Sequence, residues 1–246
     1  MKKRALILGA KSAIARSLAE KLALQGYELI LAARNTQDLQ PFASDLQMRY
    51  SSKSLLFDFD ALNTNELCSL PHRIEKLSGP IDLAILAFGY LGSQEEAGGN
   101  TNDMLKIFNS NFTSAAIILG HMANYFEEKE HGGIIGISSV AGDRGRQSNY
   151  LYGASKGALS IFLQGLRNRL YNKGIHVLTV KPGFVDTPMT KGVNGLPLVA
   201  TPDRVAEDIL RAYSKGRDVI YTPWFWRWIL LFIRFIPERI FKRFSL

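Results

Sequence analysis

The sequence predicts a doubly wound α/β fold, in which helices cover both faces of one parallel sheet. Short apolar runs alternate with segments of helical periodicity along residues 1–222. The runs are continuously apolar, as expected for parallel strands that are buried on both faces. The first run ends at Gly9 and the fourth at Gly89, and glycine is common where a strand turns into a helix. We therefore expect a three-layer α/β/α domain over residues 1–222.

Seven apolar runs are the candidate strands, and they lie at residues 5–8, 28–32, 55–57, 81–87, 132–138, 176–180 and 219–221. Helical periodicity predicts helices between them, at residues 13–25, 63–77, 103–127, 152–172 and 202–214. Two long loops, at residues 90–101 and 184–201, each follow a strand. Ligands bind at the carboxyl ends of the strands in such sheets, so we expect both loops beside a binding site.

Composition restricts the class of protein. A chain of 246 residues with 46% hydrophobic residues can bury a core and is not expected to be disordered. The single cysteine, Cys68, excludes an internal disulfide framework and a multi-thiolate metal site. The four histidines are widely spaced, so no metal is expected. The run after the basic start is shorter than the apolar core of a signal peptide, about 7–15 residues. We expect a cytoplasmic protein.

The turn after the first strand has the features of a dinucleotide phosphate site. A glycine turn leads into a helix that opens with small residues, Gly9-Ala10-Lys11-Ser12-Ala13-Ile14-Ala15. Such a turn lets the backbone approach a pyrophosphate, which the first amides of the helix then bind. Packing between strand and helix can require the same small residues. The candidate cofactor-binding residues of this turn are Gly9, Lys11, Ser12 and Ile14.

Residues after the second and third strands indicate which dinucleotide would bind. A carboxylate after the second strand would bind the ribose 2′-hydroxyl of NAD, but this sequence has Ala33 followed by Arg34. Arg34 can bind a 2′-phosphate, with Lys11 as a second cation, although an exposed arginine at a strand end is the alternative. Asp58 is a candidate for the adenine amino group, or else a turn residue. The predicted cofactor is NADP(H).

A tyrosine and a lysine four residues apart, Tyr152 and Lys156, form the candidate catalytic pair. This spacing places both side chains on one face of a helix. An ammonium group beside a phenol favours phenolate, so we expect the pKa of Tyr152 to be lowered toward neutrality and to permit acid–base catalysis. A second pair, Tyr125 and Lys129, has the same spacing but lies at a predicted helix end. Ser139, at the end of the fifth strand, distinguishes the first pair from the second.

These motifs together resemble the short-chain dehydrogenase/reductase superfamily over roughly residues 4–221. The resemblance adds Asn111, within Asn109-Ser110-Asn111-Phe112-Thr113, to the candidate site. It implies a Rossmann-like domain in which Tyr152 donates the proton and Ser139 holds the substrate carbonyl. It also implies that Lys156 binds the nicotinamide ribose and tunes Tyr152, while Asn111 positions a water in the proton relay.

The same resemblance implies further contacts with the cofactor. The segment Lys181–Met189 matches the family, and its Pro182 and Gly183 would pass beneath the nicotinamide. The remaining contacts implied by position are those of Ala87, Gly89, Val185 and Thr187.

Two segments depart from the family pattern and keep a second interpretation open. The family's Thr-Gly-x-x-x-Gly-x-Gly appears here as Leu8-Gly9-Ala10-Lys11-Ser12-Ala13-Ile14-Ala15, and its Asn-Asn-Ala-Gly as Leu86-Ala87-Phe88-Gly89. A catalytically silent nucleotide-binding or scaffold protein would explain these changes. The complete catalytic set instead favours an oxidoreductase that transfers hydride between NADP(H) and a carbonyl or secondary alcohol.

The C-terminal tail, residues 223–246, differs from the catalytic domain of residues 1–222. Much of the formal net charge of +8 lies there, because five basic residues and one acidic residue accompany all three tryptophans. A helix over residues 224–236 would span about 20 Å, which is short of the roughly 30 Å hydrocarbon core of a membrane. The pattern predicts an amphipathic helix in a membrane interface. A helix buried against the domain or in a dimer interface is the alternative.

The tail also bears on partners and location. Basic residues concentrated among aromatic ones favour an anionic lipid surface over nucleic acid. A weaker resemblance, to reductases of polyprenyl-phosphate-linked keto-sugars, implies an apolar or lipid-linked substrate. We therefore expect a small-molecule or lipid-linked substrate, peripheral binding to the inner face of the cytoplasmic membrane, and, from the family resemblance, a homo-oligomer.

Overall fold

The computed structural model describes residues 2–189 and 198–244, which form a parallel sheet with helices on both faces. The strands are β1 (Arg4–Leu8), β2 (Glu28–Ala33), β3 (Ser54–Asp58), β4 (Leu83–Leu86), β5 (Gly133–Ile137), β6 (His176–Pro182) and β7 (Val219–Thr222). Their order across the sheet is β3-β2-β1-β4-β5-β6-β7. The strand order reverses between β1 and β4, where the crevice of a doubly wound sheet opens. The predicted fold is confirmed.

Two layers of helices enclose this sheet. The helices are α1 (Ala13–Leu24), α2 (Gln40–Tyr50), α3 (Leu70–Ser78), α4 (Gln94–Gly99), α5 (Thr101–Phe108), α6 (Ser114–Lys129), α7 (Tyr150–Leu170), α8 (Pro202–Ser214), α9 (Trp226–Phe235) and α10 (Glu238–Phe241). Helices α1, α2 and α8 contribute to one buried apolar cluster, and α3, α6 and α7 contribute to the other. The sheet therefore separates two cores.

Strand β1 shows how the sequence produces this arrangement. Ala5 and Ile7 pack in one core, whereas Leu6 and Leu8 pack in the other. Successive side chains of a strand point to opposite faces, so a sheet covered on both sides needs apolar residues at every position. Burial of each leucine or isoleucine contributes about 1.5–3 kcal/mol.

Two helical segments differ from the prediction. Helix α2 is not among the predicted helices, because Ala43 and Leu46 are its only buried residues and its neighbours are polar. The helix predicted at 63–77 begins at Leu70, where Pro71 in the first turn favours a helix start.

The region between β4 and β5 also differs. Residues 90–101, predicted as a loop, contain the short helix α4. The helix predicted at 103–127 is divided into α5 and α6 by a π-helical turn, Asn109–Thr113. The middle of the predicted loop 184–201, at residues 190–197, lies outside the described residues.

The C-terminal helices fold back onto the domain. Trp226, Leu230 and Phe241 are buried. Arg144 holds the two helices in place, because it donates to the carbonyls of Ile233 and Ile236 and forms an ion pair with Glu238 at 3.0 Å. The inner face of α9 thus packs against the domain, which is one of the two alternatives for the tail.

The opposite side of α9 is exposed. We call the group Trp228, Leu231, Phe232 and Phe235 the outer face of α9; their exposed fractions are 59%, 43%, 73% and 77%. Among the residues that the structure describes, no helix combines the length and apolar character needed to cross a membrane.

Candidate active site

One cavity of about 920 Å³ lies at the carboxyl end of the sheet, beside the reversal between β1 and β4. This volume is at the upper end of the range for ligand sites, about 300–1,000 Å³. Most of the predicted site residues line it, from five separate parts of the chain: Lys11, Ser12, Ile14, Ala87, Gly89, Ser139, Tyr152, Lys156, Pro182, Gly183, Val185 and Thr187.

Tyr152 and Lys156 share the cavity face of α7, as their spacing predicts. The ammonium nitrogen of Lys156 lies 5.9 Å from the centre of the Tyr152 ring. Burial raises the pKa of Tyr152 to about 12, and a hydrogen bond with Ser139 offsets part of this rise. Our expectation that the pKa would be lowered is therefore wrong for this arrangement. A phenol with this pKa keeps its proton at neutral pH and can act as a proton donor.

Lys156 explains why the expected lowering does not occur. Its ammonium group donates a hydrogen bond to the Ile137 carbonyl at 3.1 Å rather than to the phenol. The side chain is 3% exposed, and burial lowers its pKa to about 8. A low-dielectric site disfavours the charged form of both groups, which moves the two pKa values in opposite directions.

Ser139 and its neighbour Ser138 have different roles at the end of β5. The Ser139 hydroxyl accepts from the Ala141 amide at 3.1 Å and is hydrogen-bonded with Tyr152. The Ser138 hydroxyl instead donates to the Lys156 carbonyl at 2.8 Å, inside α7. Ser138 thus anchors the helix that carries Lys156, and Ser139 is the serine that meets the phenol.

Asn111 lies behind the cavity wall rather than on it. The π-helical turn places its amide against the backbone of Tyr90, where it accepts from the nitrogen and donates to the oxygen, both at 2.7 Å. A Cβ added at Gly89 would lie 3.0 Å from the Asn111 oxygen and 3.3 Å from the Lys156 nitrogen. Asn111 and Lys156 therefore both lie next to Gly89, and the place of Asn111 in a proton relay stays a prediction.

The turn after β1 requires glycine at position 9 because Phe88 packs against it. Gly9 has φ +89°, and a Cβ there would lie 2.7 Å from the Phe88 nitrogen, so another residue would be strained. The Ser12 hydroxyl caps α1 by accepting from the Ala15 amide at 3.2 Å. Ala15, one of the alanines at a family glycine position, is buried in the core, whereas Ala13 lines the cavity.

The predicted residues after β2 and β3 lie beside the cavity and do not line it. The Asp58 carboxylate accepts from the Thr36 amide at 3.0 Å and so fixes the turn after β2. Lys11 forms an ion pair with Asp38 at 2.5 Å. Arg34 is exposed and has no hydrogen bond or ion pair within residues 2–189 and 198–244. A guanidinium group is thus available where a 2′-phosphate is expected.

Arg146 and Trp226 are among the cavity residues that are absent from the predicted site. The composition of the tail predicts Trp226 at a membrane interface, yet its ring packs against Gly183, where an added Cβ would overlap it. The spacing of Trp226, Leu230 and Ile233 repeats every turn of a helix, and this apolar stripe could have indicated an inward face. No local pattern marks Arg146, because the residues around it form no motif.

Comparison with known proteins places this site in a family. The model of the family described as short chain dehydrogenase matches residues 3–195. An uncharacterized oxidoreductase of Mycobacterium tuberculosis is 34% identical over 97% of this chain and 95% of its own length. One from Streptomyces coelicolor is 32% identical over 97% and 94%.

The fold is similar to that of a solved structure as well. A short-chain dehydrogenase from Sphingobium yanoikuyae, in complex with NADPH, superposes with a TM-score of 0.84 at 24% identity and covers 96% of each chain. At that identity the likeness concerns the fold. The match to the family model covers most of the chain, and the chain belongs to the short-chain dehydrogenase family of oxidoreductases.

Proposed function

We propose that the protein is an NADP(H)-dependent oxidoreductase that transfers hydride between the nicotinamide and a carbonyl or secondary alcohol, and that it works as a reductase in the cell. One observation carries this proposal: Ser139, Tyr152 and Lys156 meet on the wall of the cavity that also contains the turn after β1. The NADPH in the solved Sphingobium protein supports the choice of cofactor.

The residues around the cavity fit a dinucleotide. The start of α1 lines the cavity with Ser12, Ala13 and Ile14, where the positive end of the helix would stabilise a pyrophosphate. Gly183 borders the cavity without a side chain of its own. Arg34 and Lys11 would bind the 2′-phosphate, and Pro182, Gly183, Val185 and Thr187 would border the nicotinamide. NADPH supplies a hydride to the carbonyl carbon when it is bound.

The side chains of the cavity would perform the remaining chemistry. Tyr152 donates its phenolic proton to the substrate oxygen, while the Ser139 hydroxyl hydrogen-bonds the same oxygen and stabilises the charge that develops there. The Lys156 ammonium stabilises the phenolate that remains on Tyr152. A carbonyl is thereby converted to an alcohol.

A direct assay tests this proposal against the silent-scaffold alternative. We expect purified protein to bind NADPH and to consume it in the presence of some members of a panel of ketones and aldehydes, measured by the loss of NADPH absorbance. The reverse reaction, with NADP⁺ and secondary alcohols, extends the panel. Binding of NADPH without turnover in either direction would support a scaffold instead.

Cofactor choice gives a separate prediction. We expect Arg34→Ala to weaken NADPH binding by about 10- to 100-fold and to leave NADH binding within about twofold, because one charge-assisted contact with the 2′-phosphate is lost. Asp38→Asn should strengthen NADPH binding, because it releases Lys11 from its ion pair and leaves the lysine available to the 2′-phosphate. Fluorescence titration of both cofactors measures these changes. An unchanged NADPH/NADH ratio in Arg34→Ala would remove Arg34 from the site.

We propose in addition that the outer face of α9 lies on an anionic membrane surface. Beside it is a groove of about 630 Å³ with an excess of basic residues, lined in part by Arg211, Lys215, Arg217, Arg227 and Arg234 together with Trp224 and Trp228. Tryptophan beside arginine is typical of the headgroup region. The inner side of the same helix places Trp226 and Ile233 on the wall of the catalytic cavity, which supports an apolar or lipid-linked substrate.

Vesicle flotation tests the membrane proposal. We expect the full chain to float with phosphatidylcholine vesicles that contain phosphatidylglycerol, and to float less with phosphatidylcholine alone, because each basic residue near an anionic surface contributes about 1 kcal/mol. The double variant Trp228→Ser/Phe232→Ser should lose flotation. Both side chains are exposed, so the fold should not change.

The control for flotation replaces an equally exposed apolar residue elsewhere. Leu24, on α1, is 71% exposed, and Leu24→Ser should float like the wild type. If the wild type stays unbound and sedimentation shows a dimer that the double variant loses, the outer face is a contact between two copies of the chain. This outcome would contradict the membrane proposal and support the predicted homo-oligomer.

A further inference from the structure

Several buried polar atoms without a partner belong to residues that line the catalytic cavity. Within the described residues, eight buried side-chain nitrogen or oxygen atoms have no hydrogen-bond partner, and five of them belong to residues that line this cavity. They are Nε and Nη2 of Arg146, Nε2 of Gln94, Nε1 of Trp226 and Oδ1 of Asn149. Buried polar atoms are normally paired, so several unpaired ones around one cavity indicate that a ligand binds there.

Gln94 is held with its amide nitrogen available. It is the first residue of α4, and its side-chain oxygen accepts from the Leu151 amide at 3.0 Å, near the start of α7. This bond fixes the amide group between the two helices and leaves its two N–H donors unpaired. A residue fixed in this way is prepared to donate to a ligand.

Arg146 has no acidic partner still available in the part of the chain that the structure describes. The carboxylate that acts on it, that of Asp143, accepts from Tyr221 at 2.6 Å and forms an ion pair with Lys181. Burial lowers the pKa of the Arg146 guanidinium, and Asp143 offsets part of this. A guanidinium group nevertheless remains charged in proteins. Arg144, two residues earlier, differs because its guanidinium group is paired with the Ile236 carbonyl and the Glu238 carboxylate of the tail.

We propose that Arg146, together with Gln94, binds an anionic oxygen group of the substrate, so that the substrate is an oxo acid or oxo phosphate with an apolar body. This inference rests on the proposed function. Arg146 supplies the charge and two of the donors, and Gln94 supplies a neutral donor. Carboxylate and phosphate both match the planar fork of a guanidinium group. The apolar body would contact Leu91, Ile107 and Phe184 on the remaining wall.

The experiment compares anionic probes with neutral partners of the same shape. One pair of probes is 4-oxopentanoate, with longer straight-chain oxo acids, against the methyl esters. The other is dihydroxyacetone phosphate against dihydroxyacetone, which separates phosphate from carboxylate. We expect the wild type to prefer at least one anionic probe in kcat/KM, and Arg146→Gln to lose about 10- to 100-fold of that preference. Its kcat/KM on the neutral partner should fall much less than its kcat/KM on the anionic probe.

The control variant removes the same charge from a distant position. Arg49 lies on α2, where it forms an ion pair with Asp45, and Arg49→Gln should keep the wild-type preference. NADPH affinity should be equal in all three proteins. If Arg146→Gln instead weakens NADPH, Arg146 binds the cofactor and the inference is wrong.

A binding measurement separates this inference from the proposed function. The thermal midpoint of the NADP⁺-loaded protein should rise more with the anionic probes than with their neutral partners, and Arg146→Gln should abolish the difference. This result without turnover of any probe would support the anion site and count against the reductase. Turnover of neutral ketones with no anion-specific rise in the midpoint would overturn the anion site and leave the reductase in place.

Discussion

Replacing Tyr152 with phenylalanine should lower kcat for carbonyl reduction by about 10²–10⁴-fold, the usual contribution of a positioned general acid. The phenol has a pKa of about 12 and carries its proton at neutral pH, whereas the phenylalanine side chain has no acidic proton to donate. The ring remains in place, so NADPH affinity should change by less than about threefold, since a hydroxyl group contributes little to uniform binding. Stopped-flow turnover and fluorescence titration measure the two quantities.

The chain contains its own control for this variant. Tyr125 is also four residues from a lysine and is buried, but its hydroxyl accepts from the Ile81 amide at 3.1 Å in the core between α6 and β4. Tyr125→Phe should cost about 0.5–1.5 kcal/mol of unfolding free energy and leave turnover unchanged. Wild-type turnover in Tyr152→Phe would refute the assignment of the proton donor.

The pH dependence of reduction should be set by Lys156 rather than by Tyr152. The pKa of Lys156 is about 8, so the lysine is charged below that pH and loses its charge above it. Only the charged form stabilises the phenolate that Tyr152 becomes. We expect kcat/KM to be level below about pH 8 and then to fall roughly tenfold per pH unit. Lys156→Met should lose about 10²–10³-fold below about pH 8, and its difference from the wild type should shrink above that pH as the wild-type lysine loses its own charge.

A charge-preserving variant distinguishes this mechanism from a general loss of structure. In Lys156→Arg the group stays charged, so the fall near pH 8 should disappear even if the absolute rate is reduced. A profile in which Lys156→Arg still falls near pH 8 would show that another group controls the reaction.

The free energy of unfolding should not fall together with activity above about pH 8. The pKa of Lys156 is lowered from 10.5 in the unfolded chain to about 8 in the fold, so the unfolded chain binds more protons between these values. Stability from this group therefore rises with pH through the same window. The raised pKa of Tyr152 removes stability only above about pH 10. Activity that is lost at pH 9 with no fall in thermal midpoint would match both statements.

Local patterns explain how much of the fold the sequence predicts. Strand β1 is apolar from Ala5 to Leu8 because these residues are buried on both faces of the sheet. Tyr152 and Lys156 are equally local, since one helix carries both. Helix α2 escapes prediction because its two buried residues leave almost no periodic pattern.

The rest of the site depends on contacts between distant segments. Arg146 and Gln94 are 52 residues apart in the sequence. They line the same cavity only because α4 packs on α7. The direction of the Tyr152 pKa depends on how deeply the ring is buried, which spacing does not reveal. The composition of the tail does not reveal that Trp226 is buried against the domain, because a tryptophan-rich helix suits a lipid surface as well as it suits the protein interior.

An added Cβ at Gly183 would overlap the Trp226 ring, so substitutions at these two positions depend on each other. A side chain at position 183 requires a smaller residue at position 226, and a protein that retains the indole at 226 requires glycine at 183. Changes in the C-terminal segment are in this way constrained by the residue that follows β6, so a tail taken from a relative would have to match that residue.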